Sequence, residues 1–312
     1  MGKNLIMESP PSVGVVFATM NRKETAIACV LSLAAQTRPP DLVVVADNAS
    51  SDGTADALES LPQLPFPLIV HRMAENRGNA GGVKEAMEIA FSRNIEAVWI
   101  LDDDSLPRPD ALERLLDVPA SDRIVSHSLQ IDPKTGDLTW PMQIQEQGIG
   151  WHTIHSLRNM PDQRVLETRN NWTGSLISRA VWMRVGPVMG ELFIRGEDEE
   201  YPWRLRKFGI SQRAITDSIL DHPGPSLLLR KSFFGKTIYL ETGLSDWKIY
   251  YKIRNMIWLQ RRKRGLPHSI LLGMAYFVTV VRHEGIRRIP LVLEAFKDGI
   301  TCRLGRWRNH PC

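Results

Sequence analysis

With 312 residues, 43% of them hydrophobic, the chain can bury a large core and is long for one compact unit, so a catalytic domain with an appended region is expected. Its net charge of +4 hides an asymmetry: residues 261–312 carry 11 Lys or Arg against 3 Asp or Glu, which leaves the first 260 residues net acidic. Three scattered cysteines (Cys29, Cys302 and Cys312) fit no metal spacing, which points to a reduced, cytoplasmic setting. The apolar stretch 5–7 is too short for a signal peptide, and the run 270–281 falls short of the roughly 20 residues that cross a bilayer.

Four apolar, β-branched runs open the chain, at 13–18, 42–46, 67–70 and 97–101. Helical spacing fills 24–35 between the first two and 80–91 between the last two. Strand and helix alternating on this scale predict βαβ units, a parallel sheet and an α/β fold, with ligands gathering beyond the carboxyl ends of the strands. Those ends carry Thr19-Met20-Asn21-Arg22, Asp47-Asn48, the segment Glu75 to Gly82, and Asp102-Asp103-Asp104, so polar, acidic and glycine-rich residues converge on one edge. A helix is expected near 107–116. After Pro119 the pattern changes to strands and loops over 120–170, with a turn at 133–136. A strand over 171–178, a helix over 197–208 and a strand-like run at 214–220 follow, then helices from Ser245 that contain the basic run 261–264.

Three adjacent carboxylates raise one another's pKa unless a cation or a donor network neutralises them. A divalent metal on hard oxygens does this and can bridge two phosphates of a nucleotide diphosphate. Alternation along an extended chain would put Asp102 and Asp104 on one side and Asp103 on the other. The plainer reading of the triplet is a cap for the following helix. Glu197-Asp198-Glu199-Glu200 reads by itself as an acidic first turn, where the helix dipole depresses the pKa of Asp198 and the neighbouring carboxylates raise it. Asp47 sits in an ordinary turn composition, Trp172 suits a core as well as a sugar face, and His222 suits a structural role as well as a metal ligand. Gly78, Gly81 and Gly82 would permit close backbone approach to a ligand, without the spacing of a P-loop or a dinucleotide fold.

In order along the chain, these segments resemble the family 2 glycosyltransferases, which have the GT-A fold. Residues 98–109 are similar to that family's DXD region, 19–22 to its opening loop, 47–54 to its uracil-binding turn and 76–82 to its donor-contacting segment. Residues 172–175 are similar to an acceptor-side strand and 196–201 to the catalytic-base motif, the whole spanning roughly 12–260. Gly81-Gly82, the full Asp triplet and residues 250–255 resemble bacterial galactofuranosyltransferases and rhamnosyltransferases in particular, while Glu197-Asp198 departs from the usual Asp-Asp. The resemblance implies a GT-A catalytic domain over 1–240, with a donor half 12–118 and an acceptor half 119–240, then a helical basic region over 241–312. It implies inverting transfer of a sugar, galactofuranose first and rhamnose next, from a UDP- or dTDP-linked donor to a glycan or polyprenyl-linked acceptor, in cell-surface polysaccharide synthesis. Mn²⁺ or Mg²⁺ would sit on Asp102, Asp104 and His222, with Asp103 on the sugar and Asp198 as the base. Thr19, Asn21, Arg22, Asp47, Asn48, Arg77, Gly81, Gly82, Trp172, Gly174, Glu197 and Glu200 would complete the substrate site.

The tail adds a partner. The basic run 261–264, the apolar run to Val281, and Arg282, Arg287 and Arg288 suggest apolar and basic faces lying on anionic lipid, peripheral to the inner face of the plasma membrane. Its few aromatics (Tyr276, Phe277, Phe296 and Trp307) argue against nucleic acid. Two other readings stay open. A sugar-phosphate nucleotidyltransferase would share the fold and the metal aspartates, but needs a glycine-rich basic loop where this chain has Thr19-Met20-Asn21-Arg22. A non-catalytic membrane-associated scaffold would use only the tail.

Overall fold

The first apolar run forms strand β1 (Val13–Thr19), buried along its whole length as a central parallel strand must be. The computed structural model describes residues 11–118, 121–169, 171–224, 228–233, 236–241 and 243–310; the stretch 5–7, Pro119 and Cys312 lie outside them. After β1 come α1 (Lys23–Ala34), β2 (Leu42–Asp47), α2 (Thr54–Glu59), β3 (Leu68–Arg72), α3 (Gly78–Ser92) and β4 (Ala97–Ile100). These four strands pair in parallel in the order β3-β2-β1-β4. The register aligns Thr19 with Asp47 and Asp47 with Arg72, so the carboxyl ends of three strands finish level.

Period-two alternation divides the core. Val13, Val15 and Phe17 pack with Ala26, Val30 and Leu33 of α1 on one side of the sheet, while Val16 and Ala18 pack with Val83, Ala86 and Met87 of α3 on the other. Gly82 is where α3 comes closest: a Cβ there would lie 2.6 Å from Ala18 Cβ and 3.0 Å from Asn48 Nδ2.

The chain then adds β5 (Leu106–Pro107), α4 (Ala111–Leu116), β6 (Ile124–Asp132), β7 (Asp137–Leu138), β8 (Met142–Glu146), β9 (Gly150–Ile154), β10 (Val165–Arg169) and β11 (Ser175–Ser178). Helix α5 (Arg179–Val185), helix α6 (Glu197–Lys207) and β12 (Ser211–Asp221) follow. They extend the sheet as β4-β11-β6-β12-β10-β8-β9, with β11 antiparallel to both β4 and β6. The result is a mixed sheet, parallel over its first four strands as expected, beyond which β11 runs antiparallel to both neighbours, β12 lies parallel to β6, and β10, β8 and β9 add antiparallel pairs. The helix expected near 107–116 begins only at Ala111, because Leu106 and Pro107 pair with Asp221 and Leu220 of β12.

After a two-stranded hairpin, β13 (Leu228–Phe233) and β14 (Lys236–Glu241), come α7 (Asp246–Arg264), α8 (Leu266–Glu284) and α9 (Ile289–Ile300). These helices are not an independent appendage. Trp258 and Leu259 of α7 enter the α3-side core, while Ile249, Tyr251 and Ile257 pack with Phe193, Tyr276, Val280 and Val292. With apolar residues on two sides, α7 can bury one against the catalytic body and the other against its sister helices. Among the described residues, no helix is long and apolar enough to cross a membrane.

Candidate active site

Strand β4 stops at Ile100, and the carboxylates occupy the turn that follows. Gly174 fixes that turn from the neighbouring strand. Its N–H donates to Ile100 O at 2.7 Å, and its carbonyl accepts from Trp99 Nε1 at 3.1 Å and Ser128 N–H at 3.0 Å. With φ at +84° and Leu220 and Ser128 pressed against it, only glycine fits, and this kink delays β11 to Ser175. The same kink sets Thr173 Oγ1 to donate to Asp102 Oδ2 at 2.7 Å.

The three aspartates diverge in the turn much as alternation would have split them in a strand. Asp103 turns toward the opening loop, where Thr19 Oγ1 donates to Oδ2 at 2.8 Å and Arg22 Nη1 to Oδ1 at 2.7 Å. Arg22 Nη2 also donates to Asp104 Oδ2 at 2.9 Å. The other oxygen of Asp104 lies 3.4 Å from Nδ1 of His222, which β12 delivers immediately after its last residue. Ser105 Oγ sits 3.0 Å from the same nitrogen. Asp102, Asp104 and His222 thus offer ligand atoms that all lie within 4.8 Å of one another. Burial pushes the Asp103 carboxyl up to about 7 despite Arg22 and Thr19, and burial also raises Asp102, which His222 partly offsets. Two carboxylates and an imidazole, with a surplus of buried negative charge beside them, form a donor set that fits Mn²⁺ or Mg²⁺.

A second segment brings the other acids. The loop before α6 runs through Phe193 at φ +67° and Arg195 at φ +61°, both left-handed and unfavourable for side-chain-bearing residues. Buried Asn255 of α7 holds it there: its Nδ2 lies 2.9 Å from the carbonyl oxygens of Leu192, Ile194 and Arg195. Arg254 beside it, also buried, donates to Leu192 O at 2.9 Å and to Gly305 O. A Cβ at Gly196 would fall 2.8 Å from Asn255 Cβ, so the loop and α7 are in direct contact. Asn255→Ala strips the donor from three carbonyls and should cost about 2–3 kcal/mol in a urea unfolding titration. Asn255→Asp, equal in size but with no donor, should cost at least as much; near-wild-type stability in both would rule out this clamp.

The loop delivers Glu197 and Asp198 to the start of α6. Glu197 is buried; its Oε1 accepts from Asn79 Nδ2 at 3.0 Å, whereas Oε2 is buried with no hydrogen-bond partner. Burial, then the adjacent Asp198, pushes Glu197 up to about 8. Asp198 is exposed to the cleft, and desolvation by the protein packed around it, followed by Glu199, raises it to about 6 against the pull of Arg195 and Lys252. The depression expected from the helix dipole is therefore outweighed, and by desolvation more than by neighbouring charge. Solvent in the open cleft tempers the effect on Asp198 and not on Glu197.

Both groups of acids line one cleft of about 1010 Å³, together with Thr19, Arg22, Asn48, Asn79, Trp172 and Thr173. That volume is at the upper end for ligand pockets, enough for a nucleotide sugar and part of a second substrate. Trp172 is mostly core, edge-on to Tyr201, with one edge in the cleft wall.

Several expected substrate residues do other work. Arg77 pairs with Glu85 at 2.6 Å and faces, with Gly81, a separate depression beyond α3. Gly81 and Gly82 let α3 pack against Arg77 and β1 and do not line the cleft. Gly174 is the strand kink described above. Glu200 is buried in an ion pair with Arg204 at 2.9 Å. Asn21 ties the first loop to the second, its Oδ1 accepting from Ser51 N–H at 2.7 Å. Asp47 is buried behind that second loop, Oδ2 accepting from Ser50 N–H at 3.2 Å while Oδ1 has no hydrogen-bond partner. Conversely, Asn79, Thr173, Arg195 and Lys252 line the cleft beside the acids and were not singled out. Asn79 and Thr173 lay inside the recognised motifs, but nothing in their residue type marked them as partners of Glu197 and Asp102.

Residues 14–188, more than half of the chain, match the model of the family described as glycosyl transferase family 2. The chain belongs to this family. The match sets aside the nucleotidyltransferase reading. Among its relatives is the galactofuranosyltransferase GlfT1 of Mycobacterium tuberculosis H37Rv, 27% identical over 220 residues, 68% of this chain and 70% of that one. GlfT1 of Mycolicibacterium smegmatis is 26% identical over 280 residues, 85% of this chain and 89% of that one. Of solved structures, residues 1–349 of Staphylococcus aureus TarS align over 94% of this chain and 82% of that one at 15% identity, with a TM-score of 0.55. The mannosyltransferase PcManGT of Pyrobaculum calidifontis, solved with GDP-Man and Mn²⁺, aligns with a TM-score of 0.52 at 16% identity, over 94% of this chain and 75% of that one. At such identities the likeness is one of fold, and it agrees with the GT-A architecture.

Proposed function

We propose that this family 2 glycosyltransferase is divalent-metal-dependent and inverting, and moves galactofuranose, or next rhamnose, from a UDP- or dTDP-linked donor to a glycan or polyprenyl-linked acceptor. The observation that carries the reading is the cluster Asp102, Asp104 and His222, whose ligand atoms converge within 4.8 Å in the cleft that also contains Asp198. A Mn²⁺ or Mg²⁺ ion held there would offset the charge on the departing nucleotide diphosphate. Asp198 takes the proton of an acceptor hydroxyl as its oxygen attacks the anomeric carbon. The bond from that carbon to the diphosphate oxygen breaks on the opposite face, which inverts the configuration.

The remaining roles follow from the contacts. Asp103 fixes Arg22, and each of its oxygens keeps a lone pair for a sugar hydroxyl. Glu197, neutral near pH 7, donates from its unpartnered Oε2 to a sugar hydroxyl. Asp47 would accept from the uracil N–H through Oδ1, which is buried with no hydrogen-bond partner. Galactofuranose is favoured over rhamnose by the two relatives named galactofuranosyltransferases. The test is release of nucleotide diphosphate from UDP-galactofuranose, dTDP-rhamnose and UDP-hexoses in the presence of Mn²⁺. UDP-galactofuranose should give the fastest release; absence of both release and binding for every donor would sink the proposal.

A further inference from the structure

Helix α8 has two unlike faces. Ser269, Gly273, Ala275, Tyr276, Thr279 and Val280 are buried, and Gly273 sits so tightly against Phe296 of α9 that a Cβ would overlap its ring. On the other side, every exposed residue between Ser269 and Val281 is a large apolar one: Ile270 at 41%, Leu271 at 37%, Met274 at 61% and Val278 at 50% relative exposure. Ile270, Met274 and Val278 recur every fourth residue, so they form one stripe of about 12 Å along the helix. Among the described residues, none packs over this stripe.

Charge says what covers it. Arg261, Arg262 and Arg264 are exposed just before the helix, and Arg282 and Arg287 are exposed at its end and just after. The single acidic residue between 261 and 293, Glu284, is already bound to Arg288 at 2.7 Å. A second copy of the chain docking through this face would bring the same arginines together and be repelled. An anionic lipid surface satisfies both features, with apolar side chains in the acyl boundary and guanidinium groups on headgroup phosphates. The helix is too polar at its ends to cross and therefore lies in the interface.

We propose that α8 seats the protein on an anionic bilayer, Ile270, Met274 and Val278 entering the acyl boundary and Arg264, Arg282 and Arg287 contacting headgroups. Leu272 and Tyr276 of the same helix line the cleft, so the membrane-facing element is also a wall of the active site. Given the function proposed above, a lipid-linked acceptor would reach Asp198 past these two residues while its tail stays in the membrane.

The test is co-sedimentation of the full chain with vesicles of phosphatidylcholine alone or mixed with phosphatidylglycerol. Binding should require phosphatidylglycerol, weaken as salt is raised, and fall about tenfold or more in the Ile270→Glu, Met274→Glu double variant. Met274→Leu should bind as the native chain does. The glutamates are surface substitutions, so thermal unfolding and Mn²⁺-dependent UDP binding should be unchanged. That second measurement separates the two proposals, since UDP binding can fail while vesicle binding persists, and the reverse. Failure of the native chain to bind anionic vesicles, native-level binding by the double variant, or a solution dimer that the same variant dissociates without any vesicle binding would each overturn the docking proposal.

Discussion

Asp104→Ala should abolish Mn²⁺-dependent binding of UDP while leaving the fold in place. The side chain has two duties: one oxygen lies 3.4 Å from His222 Nδ1 in the proposed metal cluster, and the other accepts from Arg22 at 2.9 Å. Its removal leaves a divalent ion with Asp102 and His222 alone. Changes merely behind metal ligands typically cost 10–100-fold in affinity, so loss of a ligand should cost about 100-fold or more, roughly 3 kcal/mol of binding. Stability should change little, because Asp104 is partly exposed and Arg22 keeps Asp103 at 2.7 Å. Removing a like charge from a crowded acidic turn even relieves repulsion. Calorimetric titration of UDP with Mn²⁺ and with EDTA reads the result directly. Ser105→Ala, which removes the group 3.0 Å from His222 Nδ1, should weaken Mn²⁺-dependent UDP binding by a smaller factor. If Asp104→Ala binds UDP and Mn²⁺ as the native protein does, the metal cluster is wrongly assigned.

What was legible in the sequence, and what was not, divides along physical lines. β1, β2 and β4 were readable because strands buried on both faces must be continuous apolar runs, and their polar ends then mark the binding edge. The short helix α2 is not legible, because its six residues follow directly on Asp52-Gly53, whose composition reads as a turn. The strand expected from residue 171 starts four residues later because Gly174 is left-handed, and a glycine's φ cannot be read from its letter. The glycine pair is a similar case: sequence reveals that something approaches Gly82 closely but not that it is Ala18 of the protein's own sheet. Residues 250–255 were recognised only as a likeness, because an arginine and an asparagine in a polar helix look solvent-facing. Arg254 and Asn255 instead lie inside, holding the loop that carries the acids.

The two acids at the start of α6 can be told apart by where their protons titrate. A general base must be unprotonated to act, so kcat/KM falls about tenfold per pH unit below the pKa of the base and is level above it. Asp198 is raised to about 6 and Glu197 to about 8, both by desolvation. If Asp198 is the base, the acid limb of the profile bends near pH 6 and the enzyme is fully competent at pH 7. If Glu197 were the base, the bend would lie near pH 8 and most molecules would be inactive at neutral pH. Asp198→Asn should therefore lower transfer by about 10²–10⁴-fold at pH 7 without altering UDP–Mn²⁺ affinity. Glu197→Gln keeps the shape of a neutral acid, its hydrogen bond with Asn79 and a donor on the far side, so it should lose less than about tenfold. The opposite pattern, near-normal transfer by Asp198→Asn and collapse in Glu197→Gln with a bend near pH 8, would move the base one residue back. The structure gives a physical reason to expect the first pattern: Asp198 is exposed to the cleft, while Glu197 is a buried part of the cleft wall with one oxygen already committed to Asn79.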